Sequence, residues 1–310
     1  MDFGLSDEQA RLATSVRQVI ESRYPMTYVR SMLEDERRFS QAFWADAARL
    51  GWLGLLIDER FGGAGLGLTE LVAVQQELGR GVIPGPYLSS AVFATAALVR
   101  GGSASQQTRW LPRFARGETI GTVAFQEATG RWDPSGVTLA AQPGPNGTVR
   151  LSGEKRFVSD AHVADFIVVP ARSGGSGPDG VTLFLVETSA PGVSVRPMET
   201  IDPTRRLCEV RLDGVAVNDE AVLGRVEHGW SLLEDVADLG RVALCAEMVG
   251  GAERALDMST EYARVREQFG RPIGSFQAIQ HKCADLLVKL EGARSMTFAA
   301  AMSLASGDPD

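Results

Sequence analysis

The residues best suited to chemistry lie in one stretch, Tyr262-Ala-Arg-Val-Arg-Glu-Gln-Phe-Gly-Arg-Pro-Ile-Gly-Ser-Phe-Gln-Ala-Ile-Gln280. It reads as a helix end, a Gly-Arg-Pro turn and a second helix start, which gathers Arg266, Phe269 and Gln277 near one place. A guanidinium can grip a pyrophosphate with two parallel hydrogen bonds. A phenyl ring can lie against a flat heterocycle, and a carboxamide can hydrogen-bond its edge. Together these are the parts of a nucleotide-cofactor contact. An αα-hairpin with a packed Phe and a solvated Arg would use the same letters. Upstream, Asp238-Leu-Gly-Arg241 puts an acid and a base at i and i+3, on one helix face. That pair suits a polar ligand or an ordinary surface ion pair.

Other chemistries lack their residues. The glycine run Gly62-Gly-Ala-Gly-Leu-Gly67 never completes the G-x-G-x-x-G spacing and has no strand–turn–helix around it, so a flexible or tightly turned connector is the better reading. There is no Walker-type phosphate loop and no G-x-S-x-G elbow. His162, His228 and His281 stand apart from one another and from Cys208, Cys245 and Cys283, so metal-ligand spacing is missing. Hydrolase and metalloenzyme readings both fall away.

Composition narrows the field further. The chain has 310 residues, 44% apolar and 23% charged, enough for two or three compact units. Its 31 Lys+Arg against 39 Asp+Glu leave a net charge of −8, with no basic block for nucleic acid. No apolar run reaches bilayer-spanning length, which disfavours a membrane role. Met1-Asp-Phe-Gly-Leu-Ser-Asp-Glu8 lacks the features of a signal peptide. Three widely spaced cysteines argue against a disulfide framework and suit a reducing cytoplasm.

The elements that must position these residues change texture along the chain. Residues 1–118 read as an N-terminal helical domain. Ser6 and Gln9 can form a capping box, Ser40 can cap a helix that Gly51 ends, and Thr69 can cap another. Residues 119–224 carry short β-rich runs at Ile120–Phe125, Val137–Ala141, Thr148–Leu151, Phe166–Val169, Val181–Val186, Val193–Val195 and Glu209–Leu212. With turn clusters between them and no helix inserted, they predict a central antiparallel β barrel or sandwich. Residues 225–310 predict one helix from about Trp230 to Phe269 and a second from about Phe276 to Ser303. Two such helices cannot cover both their apolar faces, so cover must come from another subunit, from the N-terminal helices or from chain absent here, and this C-terminal helical bundle reads as incomplete. The fold class expected is thus α+β and multidomain.

The order of parts, with Y-A-x-x-R-x-x-F-G-x-x-I-x-x-F-Q on the paired helices, resembles the acyl-CoA dehydrogenase family over the whole chain. The resemblance implies that Arg266, Phe269 and Gln277 contact FAD held by a neighbouring subunit. It also implies that Asp238 and Arg241 touch the CoA portion of a thioester substrate. The family's Thr-Glu-Pro-Gly-Ala-Gly-Ser-Asp is represented by Gln126-Glu-Ala-Thr-Gly-Arg-Trp-Asp133, where most glycines are replaced and Arg131 and Trp132 are bulky. Its Trp-Ile-Thr appears as Phe157-Val158-Ser159, after a matching Gly153-Glu-Lys155 turn. On that match Gln126, Phe157, Val158 and Ser159 are cofactor-binding candidates.

The implied reaction is FAD-dependent α,β-dehydrogenation of an acyl-CoA, in lipid or sterol side-chain catabolism. It needs a carboxylate base in a dry site. One family base position is occupied here by Gly240, and the other lies beyond Asp310, so no catalytic residue is identified. Glu247 lies seven residues on, roughly 10 Å along the helix. Glu127 reads as positional. The resemblance implies a homo- or hetero-oligomer with a second family subunit and an electron-transfer flavoprotein as redox partner. Alternatives are a non-catalytic partner subunit of a heteromeric enzyme, and a same-fold flavin monooxygenase or nitroalkane oxidase.

Overall fold

The computed structural model describes residues 5–307. The sequence Ser306-Gly-Asp-Pro-Asp310 reads as helix-terminating, and its last three residues lie outside these. Two compact units form. They cut the chain differently from the three textural segments, because helices far apart in sequence pack together.

The first unit takes residues up to Val29, Gly67–Ile83 and everything from Arg241. It holds α1 (Asp7–Arg23), α4 (Leu68–Arg80), most of α7 (Gly229–Val265) and α8 (Gln277–Ser306). Ser6 and Gln9 form the expected capping box at the start of α1. The Thr69 cap is a correction: α4 starts earlier, at Leu68, because the Glu70 carboxylate reaches back to accept from the Gly67 N–H at 2.9 Å. Helices α4 and α7 touch backbone to backbone. A Cβ at Gly79 would lie 2.1 Å from the Glu247 carbonyl oxygen, and one at Gly250 would lie 1.8 Å from that of Gln76. A polar layer flanks the crossing. Arg17 makes a bidentate pair with Glu77 at 2.7 Å, and Arg80 bonds Asp257 at 2.7 Å. On α8, Leu286, Leu287 and Val288 are exposed in succession.

The second unit spans Arg30–Leu66 and Pro84–Gly240. Ser40 caps α3 (Gln41–Arg49), and Gly51 follows with φ +78°. The glycine run is indeed a tight turn: a Cβ at Gly63 would lie 2.0 Å from the Ile57 oxygen. After Pro84-Gly85-Pro86 the chain enters a π-helical stretch, Tyr87–Ala94, continuous with α5 (Thr95–Gly101) and followed by α6 (Ala104–Ala115).

The strands are β1 (Gly121–Val123), β2 (Ala140–Pro143), β3 (Val149–Ser159), β4 (Phe166–Arg172), β5 (Val181–Glu187), β6 (Val193–Pro197), β7 (Leu207–Val217) and β8 (Val222–Leu223). They form one sheet in the order β6-β7-β3-β2-β4-β5-β8, with β1 beside β4. The antiparallel barrel or sandwich expected from the turns forms as a sheet whose pairings are antiparallel except where β4 meets β1 and β2. β1 and β2 share one edge of β4, both in parallel, because β1 arrives from the helices rather than from a hairpin. Its start is pinned where the Ile120 N–H donates to the Asp165 carboxylate at 2.8 Å. Leu151, Ile167, Val169, Phe184 and Val210 fill the sheet core. On the other side Phe166 meets Trp110 and Phe114 of α6 at 4.9 and 5.6 Å, and burying such a ring is worth about 2–3 kcal/mol.

Candidate functional site

The bend after α7 carries the first group of candidates. The helix ends at Val265, short of the expected Phe269, because Phe269 and Gly270 both take left-handed φ, +55° and +73°. They are the two central residues of a tiny hairpin in which β9 (Glu267–Gln268) pairs with β10 (Arg271–Pro272). Two positive φ values in a two-residue turn match the right-handed twist of the flanking strands. Glycine suits such a position; phenylalanine is strained there by about 1–3 kcal/mol. The strain holds the Phe269 ring 91% exposed, edge-on to Phe276 at 6.0 Å, with Arg271 over the Phe276 face at 4.2 Å. Arg266 follows the helix, its carbonyl accepting from the Ile273 N–H at 2.8 Å. Gln277 opens α8. Arg266, Phe269 and Gln277 are thus exposed on a single bend of the first unit.

The second group is assembled in the β sheet. The Arg156 N–H donates to the Gln126 carbonyl at 2.9 Å, and the Thr122 hydroxyl to the Ser159 carbonyl at 2.7 Å. These bonds lay Gln126 alongside Phe157-Val158-Ser159, so candidates some thirty residues apart become neighbours. β3 breaks register between Lys155 and Val158, and Phe157 sits in the break at φ +55°, 47% exposed. A bulge of this kind re-aims a side chain. The Val158 side chain goes the other way, into the sheet core, leaving only its backbone for a ligand. Ser159 and Gln126 are half-buried.

Beneath them lies a buried ion pair. The Glu127 carboxylate accepts from Lys155 Nζ at 2.8 Å, from the Thr138 and Leu139 N–H groups at 3.0 Å, and from the Thr138 hydroxyl. Burial pushes the Glu127 carboxyl up, but the Lys155 ammonium and these donors hold it below the usual carboxylate range. A carboxylate so satisfied is a poor base. Lys155, fully buried, was passed over in the sequence except as part of a turn; its signal was a lone cation at an inward strand position.

The segment after Gln126 folds on itself. Asp133 caps Ser135 and accepts from Arg131 at 2.9 Å. Trp132 lies 5.7 Å from Phe125, and Phe125 lies 5.0 Å from Phe93, a residue of the π-helical stretch. Phe93 in turn presses on Gly240: a Cβ at Gly240 would fall 1.8 Å from its ring. Asp238 is half-buried and Arg241 exposed. Arg241 also lines a groove of about 820 Å³ between α7 and α8, whose walls include Val249, Leu256 and Leu290. The Glu247 carboxylate accepts from the Gln75 amide at 2.7 Å.

Elsewhere, Cys208 approaches His162 at 3.9 Å, but burial pushes its thiol up to about 11, so it is no nucleophile. Among the described residues no helix is long and apolar enough to cross a membrane, and no group of three or more His, Cys, Asp or Glu could hold a metal ion. The donor set fits FAD in kind: a cation for the pyrophosphate, exposed rings at Phe157 and Phe269, and polar edges at Ser159, Gln126 and Gln277.

Comparison with known proteins shows the family. The acyl-CoA dehydrogenase N-terminal, middle and C-terminal domain models match residues 6–118, 122–215 and 227–310. The L-prolyl-[peptidyl-carrier protein] dehydrogenase of Pseudomonas fluorescens is 32% identical over 322 residues, covering 100% of this chain and 82% of that protein. The ChsE4-ChsE5 complex of Mycobacterium tuberculosis superposes with a TM-score of 0.88 at 32% identity, covering 100% of this chain and 80% of its own. The Tcur3481-Tcur3483 steroid ACAD gives a TM-score of 0.84 at 33% identity, over 98% and 79%. Matched from its first helix to its last, the chain belongs to the acyl-CoA dehydrogenase family of FAD-dependent oxidoreductases.

Proposed function

We propose that the chain is one subunit of an oligomeric acyl-CoA dehydrogenase and lends its α7–α8 bend to the flavin nucleotide of an adjoining subunit. The observation that carries this is the exposure of Arg266, Phe269 and Gln277 on one bend, with Phe269 at left-handed φ. A ring held out at a backbone cost is consistent with a ligand supplied from outside the protomer. In this reading Arg266 grips the pyrophosphate, Phe269 lies on a ring face and Gln277 bonds an edge. Phe157 and Ser159 border a different flavin, one held on this chain's own β sheet. Bound FAD supplies the acceptor for the substrate's β-hydrogen. Asp238 and Arg241 hold the CoA portion of the thioester.

The subunit partner is a homologous, unlike chain rather than a second copy. The similar structures named as a two-protein complex and a steroid ACAD favour a heteromeric enzyme acting on a bulky acyl-CoA, with an electron-transfer flavoprotein taking the electrons. Co-expression with a homologous subunit, followed by flavin-to-protein stoichiometry and anaerobic bleaching with acyl-CoA, tests this. A yellow, active complex is expected. Full-rate dehydrogenation by the lone chain would remove the unlike partner, and colourless protein in every combination would remove the flavin reading.

A further inference from the structure

Ser159 is the last residue of β3, paired with Leu207 of β7, and its carbonyl is fixed by the Thr122 hydroxyl at 2.7 Å. Where its own hydroxyl points depends on how the chain leaves the strand, and the next residue sets that. Asp160 takes φ +56°. Left-handed backbone is uncommon outside glycine, though Asp and Asn adopt it more readily than other residues. It turns the chain sharply out of the sheet, and the Val163 N–H closes the turn on the Asp160 carbonyl at 3.1 Å.

Asp160 is only 6% exposed, so a carboxylate is taken out of water at this corner and must be met by donors. Its Oδ2 accepts from the Ser89 hydroxyl at 2.6 Å, shorter than that hydroxyl's 3.2 Å approach to the Pro86 carbonyl. Its N–H donates to the Arg206 carbonyl at 2.8 Å, which carries the β3–β7 ladder one bond past the strand. Ser89 is fully buried and belongs to the π-helical stretch Tyr87–Ala94, an irregularity that recurs at functional sites. The corner after Ser159 is thus gripped by the helical part on one side and by β7 on the other. All of these residues lie in one compact unit.

We propose that Asp160, anchored by Ser89, is a positioning residue that fixes the corner from which the Ser159 hydroxyl meets the edge of the flavin on this chain's own β sheet. Neither Ser89 nor Asp160 touches the cofactor in this assignment; both act through Ser159. It deepens the own-sheet flavin reading and rests on it.

The test is FAD titration of the flavin-stripped complex, followed by visible absorbance, for Ser159→Ala, Ser89→Ala and the double variant of this chain. Each single change is expected to weaken FAD binding about three- to tenfold, the worth of one hydrogen bond, and to shift the flavin's visible band in the same direction. In the double variant the loss stays at that of the worse single change, because Ser89 acts only through Ser159. Losses that multiply overturn the positioning role, and so does wild-type binding by Ser89→Ala. Asp160→Asn keeps both the left-handed tolerance and an acceptor for Ser89, so it should bind FAD within about twofold of wild type, whereas Asp160→Ala should fall to the level of Ser159→Ala. Equal binding by the two Asp160 variants overturns the proposal even where Ser89→Ala does not fold. A wild-type complex that takes up no FAD is a different failure: it removes the flavin reading, and the positioning role with it.

Discussion

At the α7–α8 bend, a ring, a guanidinium and an amide stand in solvent, the ring on a two-residue turn with left-handed φ. Around β1 and β3 the pattern differs: Lys155 is buried against Glu127, and half-buried Phe125 stacks between Phe93 and an exposed Trp132. Both regions answer to signature positions of one family. The contrast teaches that matching a signature and keeping its chemistry are different things. The bend holds its side chains in solvent, whereas the inner segment buries an ion pair and leaves Phe157 half exposed.

The largest expected effect breaks the closed region. Lys155→Met leaves the Glu127 carboxylate buried without its cation, at a cost of about 3–5 kcal/mol in chemical denaturation. The pH dependence carries its own sign. Because the Glu127 pKa is depressed in the folded chain, its stabilisation is present above the unfolded value of 4.5 and is lost as pH falls through the lower folded value. Lys155→Met should flatten that acid limb, and an unchanged limb would show that the pair does not govern it.

Next, the open region. Arg266→Ala should change the lone chain's stability by no more than about 0.5 kcal/mol, yet weaken flavin retention in the assembled enzyme by about 1.5–3 kcal/mol, roughly ten- to hundredfold. Equal effects in both assays would erase the distinction drawn between the regions. Gly240→Ala should cost about 1–3 kcal/mol by overpacking, and Phe93→Ala should relieve much of it. Strict additivity in that double-mutant cycle would mean the ring yields freely. The smallest effect sharpens the bend: Phe269→Asn, which tolerates left-handed φ, should stabilise the lone chain by about 1 kcal/mol while lowering flavin affinity.

Local chemistry was legible from the residues themselves. Ser6 and Gln9 announce their capping box, Ser40 its cap, and the seven β-rich runs all fall on or within a residue or two of strands. What escaped was settled at a distance or by competition. Glu70 outbids Thr69 for the start of α4 because a carboxylate one residue on reaches the Gly67 N–H. β3 runs past Gly153, where a turn was expected, because β7 pairs with it on either side of two register breaks. The parallel seat of β1 depends on Asp165, far along the chain. At the site, Arg266, Phe269 and Gln277 could be read together since one bend holds them. No local signal links Phe93 to Gly240; only the folded chain makes them touch.

Leu286, Leu287 and Val288 follow one another on α8, half or more exposed, so water meets oily side chains on more than one flank of that helix. Such a rod is ill suited to standing bare. Expressed without company, the polypeptide should be colloidally unstable, prone to precipitate and to cling to chaperones, before any loss of its internal structure.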